Sequence, residues 1–134
     1  MGIFRKSDNK DFANIGFHKA KNLDELREWV ISSANPNVSD RTGGTALMAA
    51  AAYGDSNLAR TLLQRGSSVN AQDNDGITAL MIAARYGRIE IMQILIDHGA
   101  NINLRQSQGG TALLIALTRN QLDAVEFLTE HGAE

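Results

Sequence analysis

Residues 45–54 read TALMAAAAYG, with four consecutive alanines from Ala49 to Ala52 where a small protein would be expected to place large apolar side chains. The same phrase returns as TALMIAARYG at 78–87 and, altered, as TALLIALTRN at 111–120, so that Thr45, Thr78 and Thr111 stand 33 residues apart. A fixed period of this length signals a repeat architecture, in which each unit buries its apolar face against the next. Methyl-sized side chains on one element then mean that something packs against it at backbone distance.

Within each unit the chain reads as a loop ending in Gly-X-Thr, a short helix, a turn, a second helix and a glycine stop. The three units run from Gly43 to Gly66, Gly76 to Gly99 and Gly109 to Gly132. The threonine hydroxyl suits an N-cap, because it can accept from an amide of the first turn that has no helical partner. Gly54 and Gly87 are expected to break the first helix. Leu58, Leu62 and Leu63, and Ile89, Met92, Leu95 and Ile96 one unit later, recur at helical spacing and form the apolar stripe of the second helix. Gly66, Gly99 and Gly132 suit the left-handed backbone that ends a helix.

The pattern D-x-x-G-x-T-A-L-M-x-A-A-x-Y-G, followed by a second helix and an N-x-x-D link, resembles the ankyrin repeat. The resemblance spans about 95 residues: full copies at 40–72 and 73–105, and a copy at 106–134 that lacks its last few positions. It implies an all-α solenoid of about four stacked helix-turn-helix units, the last one terminal and atypical, forming a single domain over residues 1–134. Residues 1–39 would be a degenerate N-terminal capping repeat with a mobile start. Its first helix would lie at 12–20, interrupted by Gly16, and its second would carry Leu23, Leu26, Trp29 and Val30 behind an Asn22 and Glu25 capping pair. The family's usual proline and histidine are replaced by Ala46 and Met48 and by their equivalents Ala79 and Met81. Methionine packing is expected to take over from the histidine's hydrogen bonds. In the last copy Leu117 stands where Ala51 and Ala84 stood, Asn120 where Gly54 and Gly87 stood, and Gln106 where Asp40 and Asp73 stood. Larger side chains at the stacking positions mark a terminal unit.

Composition narrows the function. The chain of 134 residues has a formal net charge of −2, and its four lysines all fall within the first 21 residues. Nothing in that balance draws it to nucleic acid or anionic lipid. Without cysteine there is no disulfide or thiolate chemistry, and with no apolar run of membrane length or signal-peptide core, a cytoplasmic setting is expected. No nucleophile sits beside a base, so no enzyme activity, metal or cofactor is expected. Asp73, Asn74 and Asp75 lack the later glutamate of a calcium loop and read as a turn. His98 and His131, each just before a stop glycine, read as helix-end residues set favourably against the helix dipole.

A surface remains. The resemblance implies that partners meet the loop tips and the residues closing the first helix, and the corresponding positions hold Arg41, Tyr53, Ile77, Arg85, Tyr86, Arg105 and Arg119. Four of the seven arginines from residue 40 onward and both tyrosines fall in this set, and both residue types are enriched at binding hot spots. The expected function is a non-catalytic module that binds another protein, of acidic or mixed-charge surface, through a concave Arg/Tyr-rich face, as an inhibitor or immunity-type protein. The alternative is a structural scaffold, or a segment that self-associates through Leu122, Val125, Phe127 and Leu128 of the last helix. A monomer is expected on the first reading and a homo-oligomer through the C-terminal repeat on the second.

Overall fold

Each helix pair begins where a threonine hydroxyl replaces a missing helical partner. In the computed structural model, which describes residues 23–32 and 35–134, Thr45, Thr78 and Thr111 accept from the amides of Met48, Met81 and Leu114 at 3.3, 3.2 and 3.3 Å. The expected helix at 12–20, the Asn22 partner of Glu25 and the mobile start lie outside the described residues. Seven helices follow among those described: α1 (Leu23–Ser32), α2 (Ala46–Tyr53), α3 (Ser56–Gln64), α4 (Ala79–Arg85), α5 (Ile89–Asp97), α6 (Ala112–Thr118) and α7 (Leu122–Glu130). The short helices α2, α4 and α6 stack on one another as an inner row, with α3, α5 and α7 as an outer row behind them. The described strand pairing is confined to an isolated antiparallel bridge between Ser39 and Thr45.

The alanines occupy the contact expected of them. Ala46, Ala50 and Ala51 of α2 are completely buried, as are Ala83 and Ala84 of α4. From Ala46 to Ala51 every residue of α2 is buried, which is how a helix apolar on all sides must sit. Met48 and Met81 are buried among the inner helices, at 5% and 1% exposure. Behind them Leu58, Leu62, Ile91, Met92, Leu95 and Leu128 form the layer between inner and outer helices.

Two further columns at the same period lock neighbouring repeats through side-chain hydrogen bonds. The amide of Asn37 donates to Gly66 O at 3.0 Å and accepts from Ser68 N at 2.7 Å. Asn70 repeats both bonds one unit on, with Gly99 O at 3.3 Å and Asn101 N at 2.7 Å, and Asn103 accepts from Glu134 N at 3.1 Å. The second column precedes each outer helix. Asp55 caps α3 through Leu58 N at 3.1 Å and takes the guanidinium of Arg27 at 2.7 Å, while Arg88 donates to Ala52 O at 3.2 Å and Gln121 to Arg85 O at 3.1 Å. On the outer surface Arg60 pairs with Glu90 at 2.9 Å, and hydrogen bonds from Arg60 and Ser56 hold the Glu90 carboxyl below its ordinary range.

The second column explains two glycines and one exception. Gly54 and Gly87 have φ of +78° and +67°, and a Cβ at either would lie 2.9 Å from Arg88 Cζ or 2.6 Å from Gln121 Oε1. The left-handed backbone disfavours a larger residue, and a Cβ there would push the reaching Arg88 or Gln121 side chain aside. Asn120 holds the same backbone at φ +56° at an exposed position, and asparagine tolerates that conformation.

Ala50→Leu or Ala83→Leu is expected to cost about 1–3 kcal/mol in urea melts, the usual cost of overpacking a filled core, whereas Ala52→Leu, at a half-open position, costs much less. Equal effects at all three sites would refute close stacking of the inner helices. Gly87→Ala is expected to cost more than about 1 kcal/mol because alanine is placed at positive φ, while Asn120→Gly leaves stability unchanged or raises it.

Candidate partner-binding groove

Before each inner helix the chain makes a tight turn held by its own side chain. Asp40 accepts from Thr42 N and Gly44 N at 2.8 and 2.9 Å. Asp73 does the same for Asp75 N and Ile77 N, both at 2.9 Å. In the last copy Gln106 serves with Gln108 N at 2.6 Å, so the turn survives the change from aspartate. Neighbouring turns bond to each other, Asn74 N to Thr42 O and Ser107 N to Asp75 O, both at 2.8 Å. The resemblance of residues 73–75 to a calcium loop is thereby accounted for by turn chemistry. Among the described residues no group of three or more His, Asp or Glu side chains is placed to hold a metal ion.

Between these turns and the inner helices runs an open groove of about 700 Å³. Its floor is apolar, formed by Ala52, Ile77, Met81, Ile82 and Ile115, and its far rim carries Arg85, Tyr86, Thr118 and Arg119. Four of the seven residues singled out from the sequence therefore meet here: Ile77, Arg85, Tyr86 and Arg119. Arg41, Tyr53 and Arg105 lie outside its lining. Arg41 is exposed on a loop whose carbonyl accepts from Asn74 Nδ2 at 3.1 Å. Tyr53 ends α2 at 36% exposure, and Arg105 bends toward Gly109 O of its own turn at 3.4 Å.

Tyr86 is the most elaborated position of the rim. The residue is 46% exposed, with Arg85 Cζ 5.6 Å and Arg88 Cζ 5.8 Å from its ring centroid, both within cation–π range. Arg88 was not anticipated from the sequence. It is anchored on Ala52 O, so it braces the tyrosine against the preceding repeat. The signal available was its place in the column Asp55, Arg88, Gln121, legible only once the reach of that position to the preceding repeat is known. Asp73 and Asp75, which also line the groove, add negative charge at the turn side. Arg65, exposed at the C-terminal end of α3, hydrogen-bonds Val30 O in the last turn of α1.

His98 and His131 sit at helix ends as expected. Nδ1 of each lies 2.8 or 2.7 Å from the carbonyl of Ile94 or Phe127, and since a carbonyl can only accept, that nitrogen carries the proton. His131 also stacks on Phe127 with ring centroids 4.1 Å apart. No helix among the described residues is long and apolar enough to cross a membrane.

No curated protein matches the chain. A family model described as "Ankyrin repeats (3 copies)" matches residues 17–106 and, in an overlapping second match, 57–134. With its helix pairs stacked at a period of 33 residues and that match covering most of its length, the chain belongs to the ankyrin repeat family, a non-catalytic fold of protein–protein interaction.

Proposed function

We propose that the chain binds a partner protein of acidic or mixed-charge surface through the groove between its turns and inner helices, and that it acts by covering that partner's working surface, as an inhibitor or immunity-type protein does. The observation that carries this reading is the convergence of Arg85, Tyr86 and Arg119 over the apolar floor of Ile82 and Ile115. An exposed aromatic ring braced by two guanidinium groups is a rigid anchor, costing little side-chain entropy on binding. Among the described residues neither Arg85 nor Arg119 is engaged in an ion pair, which leaves each able to form paired hydrogen bonds to a carboxylate. Arg41, Tyr53 and Arg105 would extend the contact along the turns as a peripheral set. Residues 1–134 act as one domain, and the absence of cysteine fits a cytoplasmic setting.

A second reading, self-association, draws on the last repeat. Leu128 is fully buried and Val125 and Phe127 are partly so, which leaves one of the four residues expected on that face fully exposed. Leu122 remains at 66% exposure, and Leu114 and Leu117 join it at 47% and 50%.

The partner, isolated from the native host with the intact chain as bait, is to be purified and titrated against variants. Arg85→Ala with Tyr86→Ala is expected to weaken binding by about 2 kcal/mol or more, roughly thirtyfold, with the melting curve nearly unchanged and with Arg60→Ala as an inert control. Loss of binding with Arg60→Ala and not with the double variant would overturn the groove. Sedimentation across a hundredfold dilution, about the span over which a dimer of micromolar Kd dissociates, distinguishes the second reading. A mass that falls on dilution, and stays monomeric in Leu117→Glu with Leu122→Glu, would favour self-association.

A further inference from the structure

The groove carries opposite charges at its two ends. Asp75 stands in the turn ahead of α4, and Arg85 is the last residue of that seven-residue helix, so the two are separated by about 10 Å of helix at 1.5 Å per residue. Arg119 stands beside Arg85's end of the groove, just past the C-terminus of α6. Asp75, Arg85 and Arg119 are all exposed, and no ion pair among the described residues joins the two ends. Asp73 lines the same wall, but it is half-buried and its Oδ1 accepts from two turn amides, whereas Asp75 is exposed. Asp75 is therefore the acid that faces an incoming segment. Between the ends lie the half-buried Ile82 and Ile115.

We propose, on the footing that this groove is the partner site, that it receives an extended segment presenting an acidic, an apolar and a basic side chain in a row. The acid meets Arg85 and Arg119, the apolar side chain lies on Ile82 and Ile115 beside Tyr86, and the base meets Asp75. In an extended chain, side chains on one face recur every second residue at about 3.3 Å per residue, so residues four apart span about 13 Å. That matches the length of α4 plus the reach into the turn. The partner motif is acid–x–apolar–x–base. The groove fixes the order of the side chains and not the direction of the chain, so the reversed sequence also fits. A segment with an acid at both ends would set one carboxylate against Asp75, where repulsion and lost hydration disfavour it. Asp75 thus acts as the discriminating residue, and the arginines supply the attraction.

The test is selection from a phage-displayed library of random heptapeptides on the full chain, on Asp75→Lys and on Arg85→Ala with Tyr86→Ala. The wild-type chain is expected to enrich peptides with one acid and one base four residues apart around an apolar residue, about tenfold over those with two acids. Asp75→Lys is expected to exchange the base for a second acid, and the double variant to lose both selections. If wild type and Asp75→Lys select the same peptides, and the double variant loses them, the charge order is wrong while the groove stands. If the double variant selects what wild type selects, the groove reading itself falls. If wild type enriches no peptide, the linear segment is refuted, and the titration with the purified partner still decides whether the groove is used.

Discussion

The structure depends on how closely the inner helices approach one another. Alanines that are fully buried at Ala50, Ala51, Ala83 and Ala84 let α2, α4 and α6 stack nearly backbone to backbone, and this contact sets the pitch of the array. Once that pitch is fixed, a side chain in front of each outer helix can reach the inner-helix end of the preceding repeat. Arg88 and Gln121 make that reach, and glycine at 54 and 87 is what leaves the path open. The small residues and the reaching ones are thus two halves of one constraint, and loosening the stack would disconnect both.

The same pitch builds the groove. Turns held by Asp40, Asp73 and Gln106 are joined side by side through backbone bonds, so they form a continuous wall instead of separate loops. Opposite this wall the inner helices present whatever residues close each copy, and in the second and third copies these include Arg85, Tyr86 and Arg119. Helix C-termini carry partial negative charge, which favours arginine there. Arg88 has two duties, since the bond that ties it to Ala52 O also places its guanidinium against Tyr86. Stability and surface geometry meet in that one side chain.

At the C-terminal end the constraint relaxes. Leu117 occupies the alanine position at 50% exposure, and Asn120 takes the glycine position with its left-handed backbone intact. Both side chains are exposed, so neither larger residue is squeezed against a neighbouring helix.

The sequence by itself determined the period, the element type and the ends of the helices. Thr45, Thr78 and Thr111 predicted caps and the glycines predicted stops, because those signals are local: each depends on one residue's own backbone or hydroxyl and the few amides beside it. The departures of residues 106–134 from the other copies were also legible, since Leu117 and Asn120 can be compared with their own counterparts one period earlier. Tertiary structure alone decided which surface residues share a groove. Ile77, Arg85, Tyr86 and Arg119 come together, while Arg41, Tyr53 and Arg105 lie outside its lining, and Arg65 is drawn into a bond with Val30 O. It also revealed Arg88 as the brace of Tyr86 and left Leu122 exposed while burying Leu128. These outcomes depend on distances between repeats, set by how closely alanine-faced helices stack, and no single stretch of sequence carries that distance.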